Sequence, residues 1–289
     1  MLMAPAAVAS AQGTTNEHPA PNYSAVVDTI FGRSGRLLAR FFAPRHSMEI
    51  EPLARLFGKR EQKPNGTVAV TDSSSGRQFS LIAMRPFADK VKGKVGDYHV
   101  GRFPAEKGHL RSAAYENPDG FIEVTPENKD TPVSEHFRLA DFLTHDQANV
   151  WPKYLVLREP LIDKLELVIV ELQRRGVVVQ HVAIMSGFRS PQYNQKGVGR
   201  GGRAQDSRHQ FGDAADIMVD NNHDNRLDDL NHDGRVNSKD VRMMVDAIDA
   251  VERDYPELVG GLGLYRATRA HGLFVHVDVR GTRARWGRL

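Results

Sequence analysis

The hydrophobic pattern of this chain changes its period near the middle, and that change limits the possible folds more than any other feature. Between residues 53 and 124 the apolar residues form short runs separated by Pro, Gly, Asn and Ser, which predicts strands joined by turns. From Leu161 to Leu172 they recur at helical spacing, and Gly176 ends the predicted helix. Later patterns predict a buried strand over 177–179 and 182–185, a strand over 214–219, a helix over 241–251 and a strand over 273–279. The predicted fold class is α+β, with a small antiparallel sheet and flanking helices in a C-terminal domain that follows a small β-rich domain.

The predicted domain boundaries follow the same change. Residues 21–130 form the β-rich N-terminal domain, whose role the residues do not indicate, and residues 131–289 form the second domain. Near the start of the chain, Ala9, Ser10 and Ala11 fit the A-x-A pattern that precedes a signal-peptidase cut. We interpret residues 1–20 as the remnant of an export signal or as a disordered terminus. The first interpretation predicts a periplasmic or secreted protein.

The absence of cysteine restricts the chemistry available to the chain. With no Cys among 289 residues, disulfides, thiol catalysis and cysteine metal ligands are excluded, so any metal is held by His, Asp, Glu or carbonyl oxygens. Lys and Arg number 39 against 36 Asp and Glu, and the resulting net charge of +3 is too small to indicate a nucleic-acid partner. No apolar run is long enough for a transmembrane helix. The oligomeric state is not indicated.

The densest group of chemically active residues lies between residues 207 and 216, with a second group near residue 276. His209, Asp216 and His276 offer two imidazoles and one carboxylate, a set that leaves one position of a tetrahedral zinc ion open for water. Gly212 allows the backbone to reverse between the first two residues, and His276 is expected on a neighbouring strand. From spacing alone, a capping Ser/Asp pair with two unrelated core histidines is an equal alternative.

Three motifs resemble one enzyme family in the same order along the chain. Residues 207–216 match S-x-H-x-x-G-x-A-x-D, and residues 186–194, Ser-Gly-Phe-Arg-Ser-Pro-Gln-Tyr-Asn, resemble S-G-Y-R-S-x-x-Y-N. Residues 274–278, followed by Arg285 and Trp286, resemble the ending of a branch that acts on murein. From about residue 135 onwards the chain therefore resembles the zinc D-Ala-D-Ala carboxypeptidase and murein endopeptidase superfamily.

The resemblance implies a function and a set of site residues. It implies that His209, Asp216 and His276 bind zinc, that Arg189 polarises the scissile carbonyl and stabilises the oxyanion, and that Ser207 orients the substrate. The implied activity is hydrolysis of a peptide bond involving a D-amino acid in peptidoglycan, as an endopeptidase or a carboxypeptidase.

One departure from the family pattern concerns the general base. Many members carry Glu, Asp or His two or three residues before the last zinc ligand, where this chain has Leu273 and Phe274. Asp278 shares a strand face with His276 and is the favoured base, although it could equally orient that histidine. His271 is a third candidate. The missing base leaves a catalytically impaired peptidoglycan-binding protein as an alternative function.

A second pattern, at residues 229–240, predicts a calcium loop inserted between two of the zinc ligands. It resembles dockerin-type loops and offers oxygens at positions 1, 3, 5, 7, 9 and 12, from Asp229, Asn231, Asp233, the Arg235 carbonyl, Asn237 and Asp240. The nine residues before it repeat the pattern, so Asp220, Asn222 and Asp224 offer a second site or share the first, and the insertion spans residues 220–240. An acidic surface loop without an ion is the alternative. A calcium-dependent adhesion or scaffold protein is a further possible function, but it leaves the zinc motif unexplained.

Overall fold

The structure, a computed structural model, describes residues 31–44, 58–62, 67–72, 76–108, 110–199, 202–268 and 271–287. The predicted export segment at residues 1–20 lies outside these ranges. Within them, no helix combines the length and apolar character needed to cross a membrane.

The first four strands form one sheet at the N-terminal side. They are β1 (Ala39–Phe42), β2 (Gly58–Gln62), β3 (Thr67–Asp72) and β4 (Gln78–Ala83), in the order β1-β4-β3-β2. β2, β3 and β4 pair antiparallel, whereas β1 runs parallel to β4. A small cluster of buried side chains packs on this sheet: Phe42, Val68, Val70, Phe79 and Leu81.

Short strands connect this sheet to the second half of the chain. They are β5 (Arg85–Pro86), β6 (Lys94–Val95), β7 (Tyr98–His99), β8 (Gly120–Val124) and β9 (Lys153–Leu155). β8 pairs antiparallel with both β5 and β9, so its hydrogen bonds to β9 cross the predicted boundary at residue 130. The main hydrophobic cluster also draws buried residues from both sides of that boundary, from Leu37 to Val277. The division into two domains stays a prediction.

The second half contains the predicted helix-and-sheet unit. Its elements are α1 (Glu159–Arg174), β10 (Val182–Ser186), α2 (Pro191–Gln195), β11 (Ala214–Val219), α3 (Ser238–Asp254), β12 (Gly261–Tyr265), β13 (Phe274–Asp278) and β14 (Ala284–Trp286). The sheet order is β10-β11-β13-β12-β14, and every pair is antiparallel except β12 with β14. The predicted α+β class is confirmed. Residues 177–179, predicted to share a strand with 182–185, lie outside any strand, and Val178 is 55% exposed.

A buried lysine joins the helices to the end of β13. Lys164 on α1 is fully buried, and its Nζ donates to Glu252 Oε1 on α3 at 2.7 Å. The same ammonium donates to the carbonyl oxygens of Leu258 at 2.9 Å and Asp278 at 2.8 Å. A buried charge is tolerated when it is paired and fully hydrogen-bonded, as here. The contact holds the end of β13, two residues after His276, against the helical layer.

Candidate metal centre

The local fold brings the three predicted zinc ligands together from two strands and one turn. His209 lies in a 3-10 turn (Arg208–Phe211), and Gly212 ends that turn with φ +68° before β11 begins. A Cβ on Gly212 would lie 2.3 Å from the carbonyl oxygen of Val156, so glycine is required here both for its backbone angle and for space. Asp216 on β11 pairs directly opposite His276 on β13.

The ligand atoms of this group form a nearly equilateral triangle. His209 Nε2 lies 3.2 Å from Asp216 Oδ1 and 3.1 Å from His276 Nδ1, and the remaining edge, His276 Nδ1 to Asp216 Oδ1, is 3.0 Å. All three residues are buried. Tetrahedral zinc with bonds of about 2.0 Å would separate its ligand atoms by roughly 3.3 Å. The spacing of the three atoms fits such an ion.

The hydrogen bonds behind the histidines determine which nitrogen atoms carry lone pairs. His209 Nδ1 lies 2.7 Å from the carbonyl oxygen of Gly187, and His276 Nε2 lies 3.0 Å from Asp278 Oδ2. Carbonyl and carboxylate oxygens only accept, so these two nitrogens are the donors. The opposite nitrogens, His209 Nε2 and His276 Nδ1, then direct lone pairs at each other and at Asp216. Three such acceptor atoms within 3.2 Å of one another repel unless a proton or a cation lies between them, and this donor set fits zinc.

The protonation tendencies of the group favour positive charge at the same place. Burial lowers the pKa of His209, which keeps its ring neutral. Burial would likewise lower the pKa of His276, but the neighbouring carboxylates of Asp216 and Asp278 raise it. Against the opposing effect of burial, the two histidines hold the pKa of Asp216 well below its usual range. The carboxylate is therefore ionised and available as a ligand.

Asp278, the favoured base in the sequence, lies behind a ligand and does not face the converging atoms. It is fully buried, and its Oδ1 accepts hydrogen bonds from the backbone N–H groups of Gly261 at 2.7 Å and Arg280 at 3.1 Å. The guanidinium of Arg280 and the Nε2–H of His276 donate to the same carboxylate. Although burial alone would raise it, these bonds hold the pKa of Asp278 far below its usual range. The geometry does not support a general base here and instead fits the alternative, a carboxylate that orients His276.

Arg189 and Ser207 both line the cavity next to the ligands. The Nε of Arg189 donates to Ser186 Oγ at 2.7 Å, and its Nη2 pairs with the second oxygen of Asp216. The guanidinium is thereby fixed beside the metal ligands, where the resemblance expects a group that stabilises an oxyanion. Ser207 precedes the turn that carries His209 and is 9% exposed.

The site opens into a cavity of about 710 Å³. Its aromatic lining includes Tyr115, Tyr265, Phe274 and Trp286. His271, the third candidate for the base, also lines this cavity. Its Nδ1 lies 2.9 Å from the carbonyl oxygen of Gly272 and is the donor, so Nε2 carries the lone pair and can accept a proton.

The predicted calcium loop has its oxygens arranged around its own backbone. Asp229 accepts hydrogen bonds from the backbone N–H groups of Asp233 and Gly234 through its two oxygens, and Asn231 Oδ1 also accepts from Asp233. The repeat at Asp220, Asn222 and Asp224 makes the equivalent bonds. The Arg235 carbonyl accepts from Asn237 Nδ2 at 3.1 Å.

Two of the predicted calcium ligands are engaged elsewhere. Asn237 and Asp240 form a capping box at the start of α3. Asp240 is fully buried, and both its oxygens accept backbone N–H groups, from Leu230, Asn231 and Asn237. Asp240 is position 12 of the predicted loop and was expected to close it around an ion. Its side chain instead caps α3 and accepts backbone N–H groups of the loop. The structure therefore leaves Asp240 out of the group of loop oxygens.

Residues 156–245 match the model of a family described as peptidase M15. This segment is similar to that family over 90 residues. The match confirms the resemblance to the zinc D-Ala-D-Ala carboxypeptidase superfamily and supports a peptidase-type hydrolase. It contains Arg189, Ser207, His209 and Asp216, whereas His276 lies beyond its end. No curated protein and no solved structure gives a match.

The sequence motifs assign no role to three residues of this site: Arg280, Trp286 and Gly187. Arg280, whose guanidinium pairs with Asp278, stands two residues after it, and that spacing was the available signal. The Trp286 ring lies 5.1 Å from the His276 ring, and its Nε1 donates to the Tyr265 hydroxyl at 3.2 Å. Gly187 belongs to the motif at residues 186–194, but a sequence motif does not show that its carbonyl oxygen accepts from His209.

Proposed function

We propose that this protein is a zinc-dependent peptidase that hydrolyses a peptide bond involving a D-amino acid in peptidoglycan. The observation that carries the proposal is the convergence of three possible ligand atoms, from His209, Asp216 and His276, at the wall of an open cavity. The peptidase M15 match over residues 156–245 supports the reaction class. The D-amino-acid and peptidoglycan specificity rests on the motif resemblance, which reaches beyond the matched segment.

His209, Asp216 and His276 would hold the ion, and the chain's other residues would prepare the site. A bound zinc ion supplies Lewis acidity and lowers the pKa of a coordinated water to about 7. Gly187 and Asp278 keep the two rings oriented through their hydrogen bonds. Arg189, held by Ser186 and Asp216, places positive charge where negative charge develops on the scissile carbonyl.

We assign the proton transfer to His271. Its Nε2 carries the lone pair because Nδ1 donates to the Gly272 carbonyl, and the residue lines the same cavity as the ligands. Once protonated, the imidazolium would return the proton to the leaving amine, as general acid–base catalysis requires. With His271 in place, an active enzyme is favoured over the impaired peptidoglycan-binding alternative. An extracytoplasmic location, proposed from the first residues of the sequence, would give access to the substrate.

The activity prediction is tested with the purified full chain. We expect about one equivalent of zinc by elemental analysis, cleavage of muropeptides detected by mass spectrometry, and loss of cleavage on chelation with recovery on adding zinc. Peptides in which the D-residue is replaced by its L-form should be cleaved far more slowly. Zinc binding without cleavage of any muropeptide would refute the enzyme and favour the binding protein.

We also propose that the loop at residues 220–240 binds calcium. The equivalent turns at Asp220 and Asp229 support this, because each repeat gathers carboxylate and amide oxygens from alternate positions. Calcium at 100 times its Kd should raise the free energy of unfolding by about 2.7 kcal/mol. Thermal unfolding with calcium or chelator measures the shift, and titration calorimetry measures whether one or two ions bind.

A matched pair of variants makes the calcium prediction specific. Asp229→Asn should remove the calcium-dependent shift, whereas Asp246→Asn, an exposed carboxylate on α3 paired with Arg242, should retain it. An unchanged unfolding temperature in calcium for the unmodified protein would show that the loop is an acidic surface turn.

A further inference from the structure

Five arginines line the cavity that contains the candidate metal ligands, and one of them differs from the rest. Four are each paired with a carboxylate: Arg111 with Asp206, Arg189 with Asp216, Arg208 with Asp213 and Arg280 with Asp278. The fifth, Arg203, contacts no carboxylate in the part of the chain that the structure describes. Its positive charge is therefore not compensated by a described acidic side chain. This is unexpected in a cavity that would also hold a metal cation.

Arg203 is nevertheless held in a defined position. Its Nη1 donates to the carbonyl oxygen of Tyr193 at 2.6 Å, and its guanidinium lies 4.2 Å from the centre of the Tyr193 ring. Its backbone N–H donates to the carbonyl oxygen of Gly197 at 3.0 Å. A Cβ on Gly197 would lie 2.4 Å from Arg203 Cδ, so the side chain occupies space that only glycine leaves open. The guanidinium is thus ordered before any ligand arrives, which lowers the entropic cost of binding.

We propose that Arg203 binds a carboxylate group of the peptide substrate. A planar guanidinium matches a carboxylate in two parallel hydrogen bonds, and the Nε and Nη2 of Arg203 have no acceptor among the described residues. The proposal deepens the proposed peptidase function and rests on it, because it places a charged group of the substrate in the same cavity. Two sources offer this chemistry: the C-terminal carboxylate of the peptide and the side chain of an acidic residue within it.

Four synthetic peptides of one sequence, containing a D-glutamate and ending in D-Ala-D-Ala, separate the two sources. They carry both carboxylates, the C-terminus as amide, the side chain as amide, or both as amides. Dissociation constants are measured by calorimetry with the zinc-loaded full chain, and cleavage is measured separately. For the unmodified protein, amidation of the recognised carboxylate should weaken binding about 10- to 100-fold, the range for a charged hydrogen bond.

The variants show whether Arg203 is the partner. Arg203→Gln should weaken binding of the peptide with both carboxylates by the same factor, and should leave binding of the amidated peptide unchanged. Arg203→Lys, which keeps the charge but loses the planar pair of donors, should fall between the two. Arg242→Gln, which removes an exposed arginine on α3, is the control and should behave like the unmodified protein. Unchanged binding of the amidated peptide also shows that Arg203→Gln is folded.

Each outcome has a separate meaning for the two proposals. If amidation weakens binding equally in the unmodified protein and in Arg203→Gln, or has no effect in either, the assignment of Arg203 is wrong. If no peptide binds, it is also wrong. If binding depends on the carboxylate through Arg203 but no bond is cut, the peptidase function fails and the recognition role stands.

Discussion

Replacing His209 with alanine is expected to remove bound zinc and to lower peptide hydrolysis by at least about 1,000-fold. The variant leaves Asp216 and His276 as two ligands, which is too few for a catalytic zinc site. The Lewis-acid contribution lost with the ion is several kcal/mol, and each 1.36 kcal/mol is a factor of ten in rate. Zinc content and the initial rate on muropeptides measure the two effects.

A control separates the loss of a ligand from a general effect of removing histidine. His99→Ala changes a residue of β7 that does not line the cavity, and its described hydrogen bonds to Gln147 involve only the backbone of His99. It should keep full zinc content and rate. Circular dichroism checks that His209→Ala is folded. If folded His209→Ala retains stoichiometric zinc and activity, the metal centre has been placed on the wrong residues.

The second large effect is expected from His271→Ala, which should lower kcat about 100- to 10,000-fold while leaving zinc content unchanged. That range is typical for the loss of a general acid–base group.

Asp278→Asn should act differently, because Asp278 orients His276 through Nε2. We expect it to weaken zinc binding about 10- to 100-fold, the usual effect of altering a ligand's hydrogen-bond partner.

The two variants are distinguished by adding zinc. Saturating zinc should restore most of the activity of Asp278→Asn and none of the activity of His271→Ala. The opposite pattern, with kcat lost in Asp278→Asn at saturating zinc and retained in His271→Ala, would return the role of base to the aspartate.

Much of the C-terminal half could be predicted from sequence because its elements have clear periods. The strand at 214–219 and the helix around 241–251 follow from their apolar spacing. In the structure the helix is three residues longer at each end, Ser238–Asp254. β9 and β12 were not predicted, since one has three residues and the other contains two glycines. The pairing of β8 with β9 depends on contacts distant in the chain, which local patterns do not contain.

The candidate site was predictable in its residues and less so in their roles. Residue types and motif order indicated which side chains would meet. The role of each carboxylate or imidazole depends on the groups that hydrogen-bond to it on the side away from the candidate metal. Asp278 has the right spacing for a base, but its hydrogen bonds to Gly261 and Arg280 become visible only when β12 and β13 are paired. For His271, the hydrogen bond from Nδ1 to the Gly272 carbonyl determines that Nε2 carries the lone pair.

The direct pairing of Asp216 with His276 fixes the spacing of these two candidate ligands by strand register. Because strand register sets both residues, we expect the acidic loops between β11 and α3 to tolerate changes of length without moving them, whereas α3 and β12 contact β13 and should not. A shift of register by one residue between β11 and β13 would instead turn one ligand to the opposite face of the sheet. Single-residue insertions within either strand should therefore be far more damaging than large changes in the loop.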